Sequence, residues 1–122
     1  MSDVLKLAKL FAMTFKGDYR VFPYVNAIHV YAPEVRIDIH KSKFAWSVNF
    51  SRKMLRSRWG TTPLRDPMPF QWNSRKIKID DVEVEVRKSI TIIDEDCYET
   101  WHLVLPLHLK PSEVFKLTMQ IV

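Results

Sequence analysis

Residues 101–109 read Trp-His-Leu-Val-Leu-Pro-Leu-His-Leu. Trp101, Leu103, Leu105, Leu107 and Leu109 alternate with His102, Val104, Pro106 and His108, the strictest period-2 run in the chain. Side chains two apart share one face of a strand, so this run predicts a strand with a buried leucine face. Pro106 lacks a backbone donor and predicts a bulge or an edge position for that strand. Before it, Val82, Val84, Val86, Ile90 and Ile92 fall on one face against Glu83, Glu85 and Arg87. After it, Phe115, Leu117, Met119 and Ile121 alternate again. With polar breaks at 94–99 and 110–113, the three runs predict an antiparallel meander with one face buried. Its expected core is Leu103, Leu105, Val84, Val86, Leu117 and Met119.

Further upstream, Val35, Ile37 and Ile39 alternate with Arg36, Asp38 and His40, and Phe44, Trp46, Val48 and Phe50 with Ala45, Ser47 and Asn49. Lys41-Ser42-Lys43 separates them, which predicts a hairpin with one aromatic and one polar face. Residues 4–13 suit a helix capped by Ser2 or Asp3, or a strand. The alternation of Phe11, Met13 and Phe15 with Thr14 and Lys16 predicts a strand ending near Lys16. A tight turn at Gly17-Asp18 then leads into a second strand from Tyr19 to about Phe22, stopped by Pro23. Residues 24–32 suit either period. The expected fold class is α+β dominated by antiparallel β: a small sheet core or sandwich, with one basic loop at 51–69 and at most one or two short helices. Residues 1–122 are expected to form a single domain, because neither side of that loop is large enough to stand alone.

Composition narrows the function classes. One cysteine, Cys97, excludes a disulfide framework and a Cys-rich zinc site. Two glycines exclude Gly-rich phosphate loops. No apolar run of roughly 20 residues occurs, and Met1-Ser2-Asp3 carries no basic leader, so an intracellular protein is expected. Residues 1–66 hold twelve Lys/Arg and five Asp/Glu, whereas 67–122 hold seven and nine. That excess of cations in the first half favours a polyanionic partner.

Catalytic groupings are missing from the sequence. His102 and His108 lie six residues apart, roughly 20 Å along a strand, too far to share a metal. They and His29 and His40 read as surface histidines. Asp94, Glu95, Asp96 and Glu99 cluster without the glycine and spacing of an EF-hand loop. Cys97 sits among these acids, an environment that disfavours a thiolate nucleophile. No enzyme activity, cofactor, metal or small-molecule substrate is expected.

One stretch does carry binding chemistry. Lys41, Lys43, Arg52, Lys53, Arg56, Arg58 and Arg65 fall in a span that also holds Trp46, Phe50 and Trp59. Cations beside aromatics grip phosphates and stack bases, or hold anionic headgroups while Trp sits at the interface. Trp59 with Met54 and Leu55 favours lipid, since apolar residues on an exposed loop can insert. Arginine in four of the five cations from Arg52 to Arg65 favours RNA. The alternative is that Trp46 and Phe50 are core and the cations only solvate a loop.

The run Tyr19-Arg20-Val21-Phe22-Pro23-Tyr24-Val25-Asn26-Ala27-Ile28, then Pro69-Phe70-Gln71-Trp72, then Ser89-Ile90-Thr91-Ile92-Ile93-Asp94-Glu95-Asp96, resembles segments of the matrix proteins of rhabdoviruses and related negative-strand RNA viruses. The family's Pro-Pro-x-Tyr budding motif has no counterpart, so no budding signal is carried over. The resemblance implies a small, basic, self-associating protein that bridges an anionic membrane and a ribonucleoprotein, at the membrane periphery of the host cytoplasm and in the virion. An RNA-binding viral or phage accessory protein and an interaction domain without polyanion binding are the alternatives. Self-association is also expected from the C-terminal run: a strand there would leave an uncovered edge.

Overall fold

The computed structural model describes residues 2–54, 73–93 and 95–122. In chain order the elements are α1 (Ser2–Phe15), β1 (Asp18–Phe22), a 3-10 turn (Pro23–Val25), β2 (Ala27–Ala32), β3 (Val35–Lys41), β4 (Ala45–Lys53), β5 (Asn73–Ile79), β6 (Val82–Ile93), β7 (Asp96–Pro106) and α2 (Pro111–Ile121). The strands form one antiparallel sheet in the order β1-β2-β3-β4-β7-β6-β5, with both helices packed on one face. The fold class is the expected α+β one, as a single sheet under a helical layer.

The alternating runs explain the sheet. β3 and β4 form the hairpin read at 35–50, with Ile37 opposite Phe50 and Ile39 opposite Val48. β7 then lies against β4, setting Trp101 across from Phe50, Leu103 from Val48 and Leu105 from Trp46. All of these are buried on the helix-side face, along with Val84 and Val86 of β6. Of the expected core, Met119 alone is only half-buried.

Four sequence expectations are corrected. The basic loop read at 51–69 does not begin at 51, because Ser51, Arg52 and Lys53 continue the ladder of β4, and its residues from 55 onward lie outside the described residues. Residues 4–16 are not a strand. Val4, Leu7, Ala8, Phe11 and Ala12 recur at helical spacing and are all buried, whereas Met13, the middle of the apparent alternation, is 78% exposed. Burial of that stripe outweighs a three-residue alternation. The helix ends with Lys16 in the left-handed region (φ 55°) and the Gly17 N–H donating to Ala12 O at 2.9 Å, a Schellman closure. A Cβ on Gly17 would stand 2.3 Å from Tyr31 O, so only glycine lets this turn press against β2.

The run 115–121 is α2 rather than the meander's third strand. Pro111 occupies the first turn, and the Lys110 N–H donates to Glu113 Oε1 at 3.0 Å. Val114, Leu117 and Thr118 then face inward on one stripe. The C-terminal strand edge expected to drive self-association is therefore absent. Finally, Pro106 marks neither a bulge nor an edge strand. It ends β7 opposite Ala45, while β6 pairs β7 only as far as Val104, so its missing donor falls at the ladder's end. Leu107 and His108 form a turn beyond it. The open stretch 24–32 divides into the 3-10 turn, Asn26 at φ 49°, and β2.

Candidate anion-binding groove

Of the cations singled out in the sequence, the four that are described do not gather in one place. β4 is nine residues long, about 30 Å. Lys41 and Lys43 sit at the hairpin end, and Arg52 and Lys53 at the other. Arg52 lies on the helix-side face, its Cζ 5.4 Å from the Phe50 ring and 5.7 Å from the Trp101 ring. Lys53 Nζ lies 3.4 Å from Asp96 Oδ2. Met54 is half-buried, with its N–H donating to Cys97 O at 2.8 Å. Leu55, Arg56, Arg58, Trp59 and Arg65 lie outside the described residues. Trp46, Phe50 and Trp101 are core, so the cations beside them cover aromatic rings instead of presenting them to a base.

Lys41 leads to a different site. Its Nζ lies 2.9 Å from Asp3 Oδ2 and 4.9 Å from the centre of the Trp46 ring. The Lys41 ammonium, by hydrogen bond and by charge, holds the Asp3 carboxyl below its ordinary range. Trp46 Nε1–H donates to Leu109 O at 3.1 Å, which ties the start of α2 to the sheet beneath α1. Between α1 and residues 107–112 this leaves a groove of about 610 Å³.

Its lining follows from helical spacing. Asp3, Lys6, Lys9 or Leu10, and Met13 recur every three or four residues on the outward side of α1. Leu107, Leu109 and Pro111 form the opposite apolar side, and His108 and Lys110 its polar rim. Asp3 is matched by Lys41, while Lys6, Lys9 and Lys110 are exposed and have no ion-pair partner among the described residues. Outside that lining, the hairpin turn that follows Lys41 carries the exposed Lys43 and Phe44, the latter 87% exposed. The combination is an apolar trough with exposed ammonium groups on its rim, suited to an anionic group attached to an apolar body.

Sequence reasoning missed Lys6, Lys9, Met13 and Lys110. The signal available was the three-residue spacing of the two α1 lysines beside Leu7, Ala8 and Phe11. A strand assignment hides that spacing.

The histidines are mostly as expected, with one exception. His40 and His108 are exposed, and His29 Nε2 lies 3.5 Å from Asp38 Oδ1. Among the described residues no group of three metal-ligating side chains occurs. His102, however, is half-buried and in contact with Asn49 of β4 through Nδ1, which donates to Oδ1 in the tautomer this acceptor requires. Burial first, and Arg87 second, lower its pKa from 6.5. The unfolded chain then takes up a proton near pH 6.5 that the folded chain refuses. Stability is fully present above pH 6.5 and declines as pH falls below it. Denaturant titrations on either side of that pH should show this slope in the parent protein and a reduced slope in His102→Gln. An equal slope in both would assign it to other groups.

Among the described residues no helix is long and apolar enough to cross a membrane. Comparison with family models, with curated proteins and with solved structures finds no match to this chain.

Proposed function

We propose that this protein docks on anionic lipid surfaces through the face formed by α1, the hairpin turn and the start of α2. The observation that carries the reading is the groove itself: Lys6, Lys9 and Lys110, exposed and in no ion pair among the described residues, stand around an apolar trough that Met13 also lines, and Phe44 is exposed on the hairpin turn that follows Lys41. Lysines near an anionic bilayer contribute about 1 kcal/mol each, and apolar side chains between them reach the acyl boundary. The resemblance to rhabdovirus matrix proteins implies the same partner, and a matrix-type role falls within this proposal. RNA binding is less well supported. Phosphates would find the same lysines, but Trp46, Phe50 and Trp101 are closed off as stacking platforms.

The test is flotation of the full chain with phosphatidylcholine vesicles, with and without phosphatidylserine, beside an RNA gel shift. Binding is expected only to the vesicles that carry phosphatidylserine. It should fall steeply with salt, as the screening length shortens from about 10 Å at 0.1 M to about 3 Å at 1 M. Absent or equal binding to both vesicle types would overturn the lipid reading. RNA binding without vesicle binding would put nucleic acid in its place.

A further inference from the structure

Among the described residues the two edges of the sheet are β1 and β5, and they differ in chemistry. β5 carries Arg75, Lys76 and Lys78, the kind of charge by which natural edge strands repel one another. β1 reads Asp18-Tyr19-Arg20-Val21-Phe22, exposed along its whole length, with one acid and one base. Tyr19 and Val21 share the helix-side face with Val30 and Ile28 of β2, while Asp18, Arg20 and Phe22 share the other face with Tyr31, His29 and Ala27. The adjoining 3-10 turn adds Tyr24, which is 100% exposed.

We infer that β1 pairs antiparallel with β1 of a second copy of this chain, about a two-fold axis at Arg20. Three observations select that occupant and register. Lys16 in the left-handed region on one side and the 3-10 turn at Pro23 on the other limit the ladder to five residues. Only an axis at the middle residue uses all of them. In that register Tyr19 stands opposite the partner's Val21 and Val21 opposite the partner's Tyr19, an aromatic and β-branched pairing on the helix-side face. Asp18 stands opposite the partner's Phe22 and diagonal to the partner's Arg20, close enough for a guanidinium to reach. The charges are thus complementary to themselves, as an isologous interface requires.

The two Arg20 side chains face each other across the axis, which opposes pairing. Each has elsewhere to go: Arg20 Cζ lies 5.5 Å from the Tyr31 ring of its own chain, and the partner's Asp18 lies on the diagonal. A shift of one residue would set Tyr19 against the partner's Phe22 and turn the two helical layers to opposite faces. The symmetric register keeps both layers on the same face of a continuous sheet. Both copies of α1, which packs over β1, β2 and β3, then face one surface. That consequence, two lysine grooves presented together, rests on the lipid reading; the pairing itself does not.

Sedimentation equilibrium of the full chain at high micromolar concentration tests the pairing. The parent protein is expected at twice its 14.5 kDa mass, and Val21→Lys, which gives β1 the charge of the opposite edge, at the monomer mass. Val21 is exposed, so circular dichroism of that variant should match the parent. Register is read in a Cys97→Ser background. Two Cα atoms at position 20 lie about 4.5–5.5 Å apart across the axis, within disulfide reach. Those at position 18 are four residues apart along the ladder, about 13 Å, and out of reach. Mild oxidation should therefore link Arg20→Cys into a covalent dimer and leave Asp18→Cys unlinked. A monomeric parent, a Val21→Lys variant that still dimerises, or linkage at 18 but not at 20 would each overturn the inference. A dimer that fails to bind vesicles would remove the lipid reading alone.

Discussion

Replacing Phe11 with Ala is expected to lower the unfolding free energy by about 3–5 kcal/mol. Phe11 is fully buried and joins the layers: its ring lies 6.4 Å from Phe50 of β4 and 5.2 Å from Phe115 of α2. Phe15 and Trp101 extend the cluster, at 5.6 and 6.1 Å from Phe50. Truncation removes ring–ring contact to both the sheet and the second helix, and the neighbours, fixed by strand register on one side, can collapse into the space only in part. Met13→Ala, two residues away on the outward side, should change stability by less than about 0.5 kcal/mol. Denaturant unfolding followed by circular dichroism measures both. A small effect at 11 with a large one at 13 would reverse the facing of α1 and remove the groove with it.

Changing Lys6, Lys9 and Lys110 together to Glu is expected to weaken binding to phosphatidylserine vesicles about a hundredfold or more. Each lysine near an anionic surface contributes about 1 kcal/mol, so losing three is worth about two powers of ten, and the introduced carboxylates add repulsion. All three side chains are exposed and none belongs to an ion pair among the described residues. The unfolding midpoint should therefore move little. Lys41 is the wrong residue for this experiment, since it holds Asp3 and covers Trp46. Its loss would confuse folding with binding.

Much of the sheet was legible because burial against the helical layer imposes a strict period of two. Ile37, Ile39, Val48, Phe50, Leu103 and Leu105 all obey it, and all are fully or nearly fully buried. Both helices were misread for the same reason. Phe11, Met13 and Phe15, and again Phe115, Leu117, Met119 and Ile121, alternate by coincidence within segments whose buried stripes run at three and four. In α2 the sequence carries a helix-start signal, Pro111 followed by Glu113, but the local alternation that overlaps it mimics a strand.

The site was less legible than the fold. Lys6 and Lys110 lie near opposite ends of the sequence, and only the packing of α1 against α2 brings them to one groove. Clustering along the chain pointed instead to 41–65, where the described cations separate toward the two ends of β4 and two of them, Lys41 and Arg52, attend to aromatic rings of the core.

The most direct measurement compares two triple variants that change net charge equally. Lys6, Lys9 and Lys110 to Glu alters the groove, and Arg75, Lys76 and Lys78 to Glu alters the β5 edge. Each is titrated with phosphatidylserine vesicles at one ionic strength. If the groove is the docking face, the first variant loses about a hundredfold or more and the second stays within a few-fold of the parent. Equal losses would mean that net charge alone attracts the protein to the bilayer, which contradicts a docking role for the groove.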